Sequence, residues 1–313
     1  MILVLELIVI IFGLIIGSFL TACVYRLPFS IFETSEEEEE TVSREEKIAE
    51  EGKEQSDSFN DLFANLPIPD PNKAGLTLCY PPRSFCPKCD KQLLWFHNIP
   101  VISWLFLKGC CAFCKNPISV RYPITEITSA LLAILSLNIF GFTLAALLIY
   151  LFSCALLVIT LIDYDYYIIP DSISLPGFIS GIFLAVLNQA FRILPDPFAP
   201  TFIASLIGAL VGGGFLFLVS RLYLFTRKRE GLGLGDVKLL AMIGSWFGPF
   251  ASFFTIFIGS LIGSICGVMM LLARGKGISH PIPFGPFLAL AAAIYIFLYP
   301  YGILNLLKIF NFI

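Results

Sequence analysis

Charge is what this sequence has least of: only 14% of its 313 residues are charged, against 57% hydrophobic, and the mean hydropathy is +0.86. That excludes a soluble globular domain, in which about a quarter of the residues are charged. A cleavable secretory signal is also missing, because the first apolar segment has no basic start and no small-residue cleavage pattern, and it runs straight into a charged loop. We expect it to be retained as a first membrane segment. No nucleotide fingerprint is present either. The glycine-rich "GLGLGD" at 231–236 departs from G-x-G-x-x-G, since its third glycine follows one residue after the second and no soluble strand precedes it. A dinucleotide-binding fold is excluded on that ground, and no nucleic-acid partner is expected.

What the chain does have is a series of apolar runs, each of a length that crosses a bilayer. They lie near 1–25, 124–141, 143–162, 172–192, 200–226, 249–272 and 283–308. A shorter run, 237–248, reads as either a short span or a re-entrant segment. The expected fold is an all-α polytopic membrane protein with about eight transmembrane segments and a small cytoplasmic zinc-binding loop domain. Three parts follow: a first transmembrane segment (1–25), a cytoplasmic loop (26–122), and a membrane-embedded domain (123–313). Eleven of the twenty Lys and Arg fall between Arg26 and Arg121, and eight crossings put six more on the same face. By the positive-inside rule that face is the cytoplasm. The loops "DYDYYIIPD" (163–171) and "GLGLGD" share it.

The acids are concentrated in the large loop, with 15 of 23 between Glu33 and Asp90. Residues 33–61 are glutamate-rich and poor in aromatics, the composition of a solvated insertion that is disordered in part. Further along, about 79–122, four cysteines have a metal's spacing: Cys86 and Cys89 form one C-x2-C pair, Cys111 and Cys114 another. Two such turns supply the four thiolates of a tetrahedral zinc site. A closed shell leaves no open position for substrate, so the expected role is to hold together a loop with little core of its own. Cys110 is a poorer alternative to Cys111, and His97 a poorer ligand than any of the four. Cys23, Cys154 and Cys266 read as packing residues, and Cys79 has no assigned role.

Acids next to hydrocarbon are costly, so each one beyond residue 120 calls for a reason. Asp171, after Pro170, reads as a helix N-cap. Glu126 reads as a helix-start acid or a partner for Arg121 or Lys238. Asp163 and Asp236 differ, since each ends an apolar segment and both fall in one layer of the membrane. Two carboxylates brought together share a proton. The ionised member can then activate water while the protonated one donates to a developing oxyanion, which is aspartic-protease chemistry. Gly231, Gly233 and Gly235 would clear side chains from the approach to Asp236.

"GSFLTACVYRLP" (17–28), the paired C-x2-C loop, "NIPVISW" (98–104), "ISVRYPITE" (118–126), "LIDYDYYIIPD" (161–171), "GLGLGDVKLLAMIG" (231–244) and "PIPFGPFLA" (281–289) together resemble, in order, the bacterial prepilin peptidases, or type IV leader peptidases. The resemblance implies an enzyme of the bacterial cytoplasmic membrane with its active site and zinc domain facing the cytoplasm. Its substrates would be type IV prepilins and type II secretion pseudopilins, each with a basic leader and a hydrophobic stem in the bilayer. It implies Asp163 and Asp236 as the catalytic pair and Cys86, Cys89, Cys111 and Cys114 as zinc ligands. It also implies methylation of the new N-terminal residue with S-adenosylmethionine, whose binding residues the sequence does not give. The chain departs from the family pattern at Thr21-Ala22-Cys23, at His97 and in the enlarged acidic loop. The alternatives are a peptidase without methylation and an ion-coupled transporter relaying charge through Asp163, Asp236 and Lys238.

Overall fold

The computed structural model describes residues 2–49, 84–86, 88–227, 233–274 and 282–301. Among these residues the regular structure is helical, with isolated bridges in place of strands. The chain divides into two units, one of residues Ile11–Ser129 and one made of the first ten residues with Ala130 onward.

Helix α1 (Ile2–Ala49) runs well past the expected end at residue 25. Its backbone takes in 33–49, the first part of the acidic insertion at 33–61. Glutamate is a good helix former, so a run of it is compatible with helical backbone. Residues 50–61 and Cys79 lie outside the described residues. In the Ile11–Ser129 unit, α1 packs on α3 (Arg121–Phe140) through Gly17, where a Cβ would lie 2.6 Å from the Glu126 Cα. The loop between them carries a short helix, α2 (Ile102–Phe106), and a 3-10 turn at Trp95–Asn98.

The other unit is a bundle. Helix α4 (Leu144–Tyr166) starts at the Thr143 hydroxyl, which accepts the Ala146 N–H, and ends at Tyr167 in the left-handed conformation. Helix α5 (Asp171–Phe191) follows, then α6 (Phe202–Ala209), a π-helical turn at Leu210–Gly214, and α7 (Phe215–Arg227). Helix α8 (Leu234–Arg274) is bent at Gly248, whose φ of 83° suits glycine, followed by Pro249. The 237–248 run is thus the helical arm before the bend. Helix α9 (Gly285–Leu298) completes the unit.

Small residues let α6 and the π turn lie close against α8. Ser205 Oγ donates to the Ser245 carbonyl at 2.7 Å and Ser252 Oγ to that of Gly208 at 2.8 Å. This is how helices pack where lipid removes the hydrophobic drive. Ile149 and Ile159 of α4, Leu239, Leu240 and Ile243 of α8, and Leu288 and Ile296 of α9 are fully buried together. The first turns of α8 and α9 both pack against Ile169, just beyond the C-terminal end of α4, at Gly235 and Gly285. Among the described residues, six helices are long and apolar enough to cross a membrane; Gly285–Leu298 is apolar but shorter. Helix α8 unites two of the runs that the sequence separates, one on each side of its bend.

Candidate active site

Asp163 lies in the last turn of α4, and Asp236 in the first turn of α8. Both are buried, at 5% and 9% exposure, and close enough for their charges to interact. The structure therefore brings together the two acids singled out by sequence. A third element joins them. Gly285, the first residue of α9, donates its backbone N–H to Asp163 Oδ2 at 3.0 Å. That amide has no partner within its own helix, and the positive end of the α9 dipole faces the carboxylate.

Gly285 had no role assigned from sequence, although its position behind a proline pair at the start of an apolar run marks a helix N-terminus. A Cβ there would lie 2.6 Å from Asp163 Oδ2 and 3.3 Å from Ile169 Cδ1. Gly285→Ala should therefore turn the carboxylate aside and lower any hydrolysis that the acid pair carries out by about 10- to 100-fold, the cost of a misplaced reacting group. Steady-state rates on a purified substrate would measure it.

The glycines before Asp236 divide by environment. At Gly235 a Cβ would press on the Ile169 Cβ at 2.9 Å, so packing of the α4–α5 connection demands glycine there. At Gly233 a Cβ would make only an ordinary contact, 3.8 Å from Asp236 Oδ2, so the space beside that acid is open. Gly231 lies outside the described residues.

Asp171 is the first residue of α5, with Pro170 at the N-cap position and no side-chain cap, which corrects the N-cap reading. Its carboxylate instead holds Lys238, with Nζ 2.7 Å from both oxygens. A charge relay through Asp163, Asp236 and Lys238 thus has its lysine engaged elsewhere. The pair is exposed, at 37% and 54%, and such pairs are worth less than about 1 kcal/mol, less still in salt. Lys238→Met should shift the thermal midpoint in a melting experiment only slightly.

Four cysteine sulfurs gather in the Ile11–Ser129 unit. Those of Cys86, Cys89, Cys111 and Cys114 all lie within 4.8 Å of one another. Two matching turns present them. Cys86 N–H donates to the Lys91 carbonyl and Asp90 N–H to that of Cys86; Cys111 and Lys115 repeat the pattern, with Asn116 in place of Lys91. Asp90 and Lys115, each just after the second cysteine of its pair, both have left-handed backbones. Cys86 Sγ and Cys114 Sγ are 3.8 Å apart, too far for a disulfide. That separation matches the edge of a tetrahedron with metal–sulfur bonds of about 2.3 Å, roughly 3.8 Å. Burial pushes the Cys86 thiol up to about 11, whereas the Asn116 backbone N–H holds Cys114 down to about 6. Cys110 stands apart, its sulfur directed to the Lys108 carbonyl. His97 lies between the rings of Phe96 and Phe113. Glu126 accepts the Val101 N–H at 2.7 Å, a contact that sequence reasoning missed.

Residues 11–140 match the bacterial peptidase A24 N-terminal domain, and residues 150–268 match the type IV leader peptidase family. The "Prepilin leader peptidase/N-methyltransferase" of Stutzerimonas stutzeri is 36% identical over 279 residues, covering 89% of this chain and 86% of that protein. The protein of the same name from Pseudomonas aeruginosa is 36% identical over 282 residues, with 90% and 86% covered. That from Aeromonas salmonicida is 34% identical over 286 residues, with 90% and 87% covered. No solved structure matches the chain.

Proposed function

The chain belongs to the type IV leader peptidase family, and we propose that Asp163 and Asp236 form the catalytic pair with which it removes the leader of a prepilin. It is a membrane endopeptidase and N-methyltransferase acting on prepilins. The observation that carries the catalytic assignment is the burial of the two acids together, with the Gly285 amide on one of them.

The chemistry follows from one proton shared between two acids. The ionised carboxylate accepts a proton from water as the water attacks the scissile carbonyl, and the protonated one donates a hydrogen bond to the oxygen that gains charge. The Gly285 N–H keeps Asp163 in one orientation throughout. As the tetrahedral species collapses, a proton passes to the leaving nitrogen and frees an α-amine. The substrate's hydrophobic stem lies in the bilayer, which presents the scissile bond at the membrane edge before chemistry begins. We assign this reaction to residues 123–313, in the bacterial inner membrane with the acids at its cytoplasmic face.

The loop 26–122 carries the four thiols. Cys86, Cys89, Cys111 and Cys114 would hold a structural Zn2+, with no ligand position left for substrate. S-adenosylmethionine supplies an electrophilic methyl group for the amine released by cleavage. The purified chain, mixed with a prepilin, should yield a product shortened by its leader; with the methyl donor added, the product gains the mass of one methylation. Mass spectrometry reads both. An uncleaved prepilin would refute the peptidase, and a cleaved but unmethylated one would leave a peptidase alone.

A further inference from the structure

The Ile11–Ser129 unit contains a cavity of about 160 Å³, and Asp163, Asp236 and Gly285 are not among its lining residues. Its walls are largely apolar in area, with Trp104 and Tyr122 among the rings, and charged and polar side chains interrupt them. Arg26 and Glu126 both line it, and each is buried, at 8% and 7% exposure. His97 lines it too, and its Nδ1 is a buried atom with no hydrogen-bond partner. Buried polar atoms are rarely left unmet, and one on a residue that lines a cavity offers a place for a ligand's donor or acceptor.

The backbone nearby is unusual as well. Val101 has φ 61° and ψ −48°, a positive φ that β-branched residues avoid, and its N–H is held by Glu126 Oε2. Such strain clusters at ligand sites. The Val101 N–H and the Ser18 hydroxyl together do not exhaust a carboxylate, whose two oxygens offer about four lone-pair sites. Trp104 is fixed in place by its Nε1–H, which donates to the Ile118 carbonyl, and by Gly109, where a Cβ would lie 2.9 Å from the indole.

We propose that this cavity is the methyl-donor site of the enzyme, taking S-adenosylmethionine by one part and presenting its methyl group at the mouth. The proposal rests on the methyltransferase reading above and adds a place to it. The donor carries a carboxylate, which suits the Arg26 guanidinium, and an ammonium and ribose hydroxyls, which suit Glu126. Its adenine and sulfonium suit aromatic walls, the latter by cation–π attraction. Pockets that enclose a whole ligand of drug size run to about 300–1,000 Å³, so this one holds part of the donor and leaves the rest at the opening. An acceptor approaching from outside requires that arrangement.

The transfer balances without a further reagent. The neutral α-amine attacks the methyl carbon, the carbon–sulfur bond breaks with its electron pair left on sulfur, and the products are a methylated ammonium and S-adenosylhomocysteine. An α-amino pKa of roughly 7.7–8.0 leaves about a tenth of the amine neutral at pH 7.

Two measurements on the full chain in detergent test the site. In calorimetric titration with S-adenosylhomocysteine, Glu126→Gln and His97→Phe should each weaken binding by about 10- to 100-fold, as loss of a charge-assisted or buried hydrogen bond does. Wild-type affinity in both variants would overturn the proposal. Ultraviolet cross-linking of methyl-labelled S-adenosylmethionine to the wild-type chain needs no variant to fold: label in peptides from 18–26 or 93–126 supports the site, and label confined elsewhere overturns it. Donor bound elsewhere, with the processed pilin still methylated, refutes this site alone. No donor bound and no methylation refutes the methyltransferase reading with it.

Discussion

Asp163→Asn lowers leader cleavage by at least about a thousandfold, toward the upper range for loss of a general acid or base, and Asp236→Asn does the same. An amide cannot exchange the proton that the pair shares, yet it nearly matches the carboxylate in size, so helices α4, α8 and α9 still pack around it. The Gly285 N–H keeps an oxygen to donate to in Asp163→Asn. Both variants should accumulate in membranes and melt within a few degrees of wild type. Single-turnover cleavage of a purified prepilin, with circular dichroism melts of each variant, checks both halves of the expectation. Full activity in either variant would remove that acid from the mechanism.

Loss of the four-thiol site should have the second largest effect, through folding of the Ile11–Ser129 unit. Structural zinc sites contribute about 10–16 kcal/mol of apparent free energy in small domains at neutral pH, far more than a loop with two isolated bridges and one short helix draws from its own packing. Cys86→Ser or Cys111→Ser should drop bound zinc from one ion per chain to near none and open residues 84–118 to protease. Elemental analysis with limited proteolysis reads this. Because thiolates bind the metal, zinc should also leave as the pH falls, protons competing for Cys86 and its neighbours. A zinc-free chain whose loop resists protease as wild type does would show that the thiols hold the loop without a metal.

Much of this architecture is legible in the sequence because membrane chemistry leaves few options. A carboxylate at the end of an apolar helix is conspicuous, and Asp163 and Asp236 stand out for that reason. The cysteines stand out by spacing alone. What stayed illegible depends on tertiary approach. Gly285 acts through a backbone amide 122 residues from Asp163, and glycine in an apolar run gives no sign of such a bond. Lys238 and Asp171 pair across 67 residues, and the local proline before Asp171 suggested a cap instead. Glycine before Asp236 suggested room for substrate, but Gly235 is required by Ile169. The length of α1 was hidden by composition, since a glutamate run suits either a solvated helix or a disordered loop. Val101 shows the same limit at the backbone: nothing in "NIPVISW" announces a positive φ, which only its bond to Glu126 makes intelligible.

The central claim is that Asp163 and Asp236 work as one unit with a single shared proton. The pH dependence of kcat/KM for leader cleavage by the purified chain tests it most directly, because a pair in which one member must be ionised and the other protonated is active only between its two macroscopic ionisations. The expected profile is a bell, with activity lost on both the acid and the alkaline side. A profile with one acid limb that then stays level through alkaline pH would mean that a single carboxylate suffices, and would contradict the account.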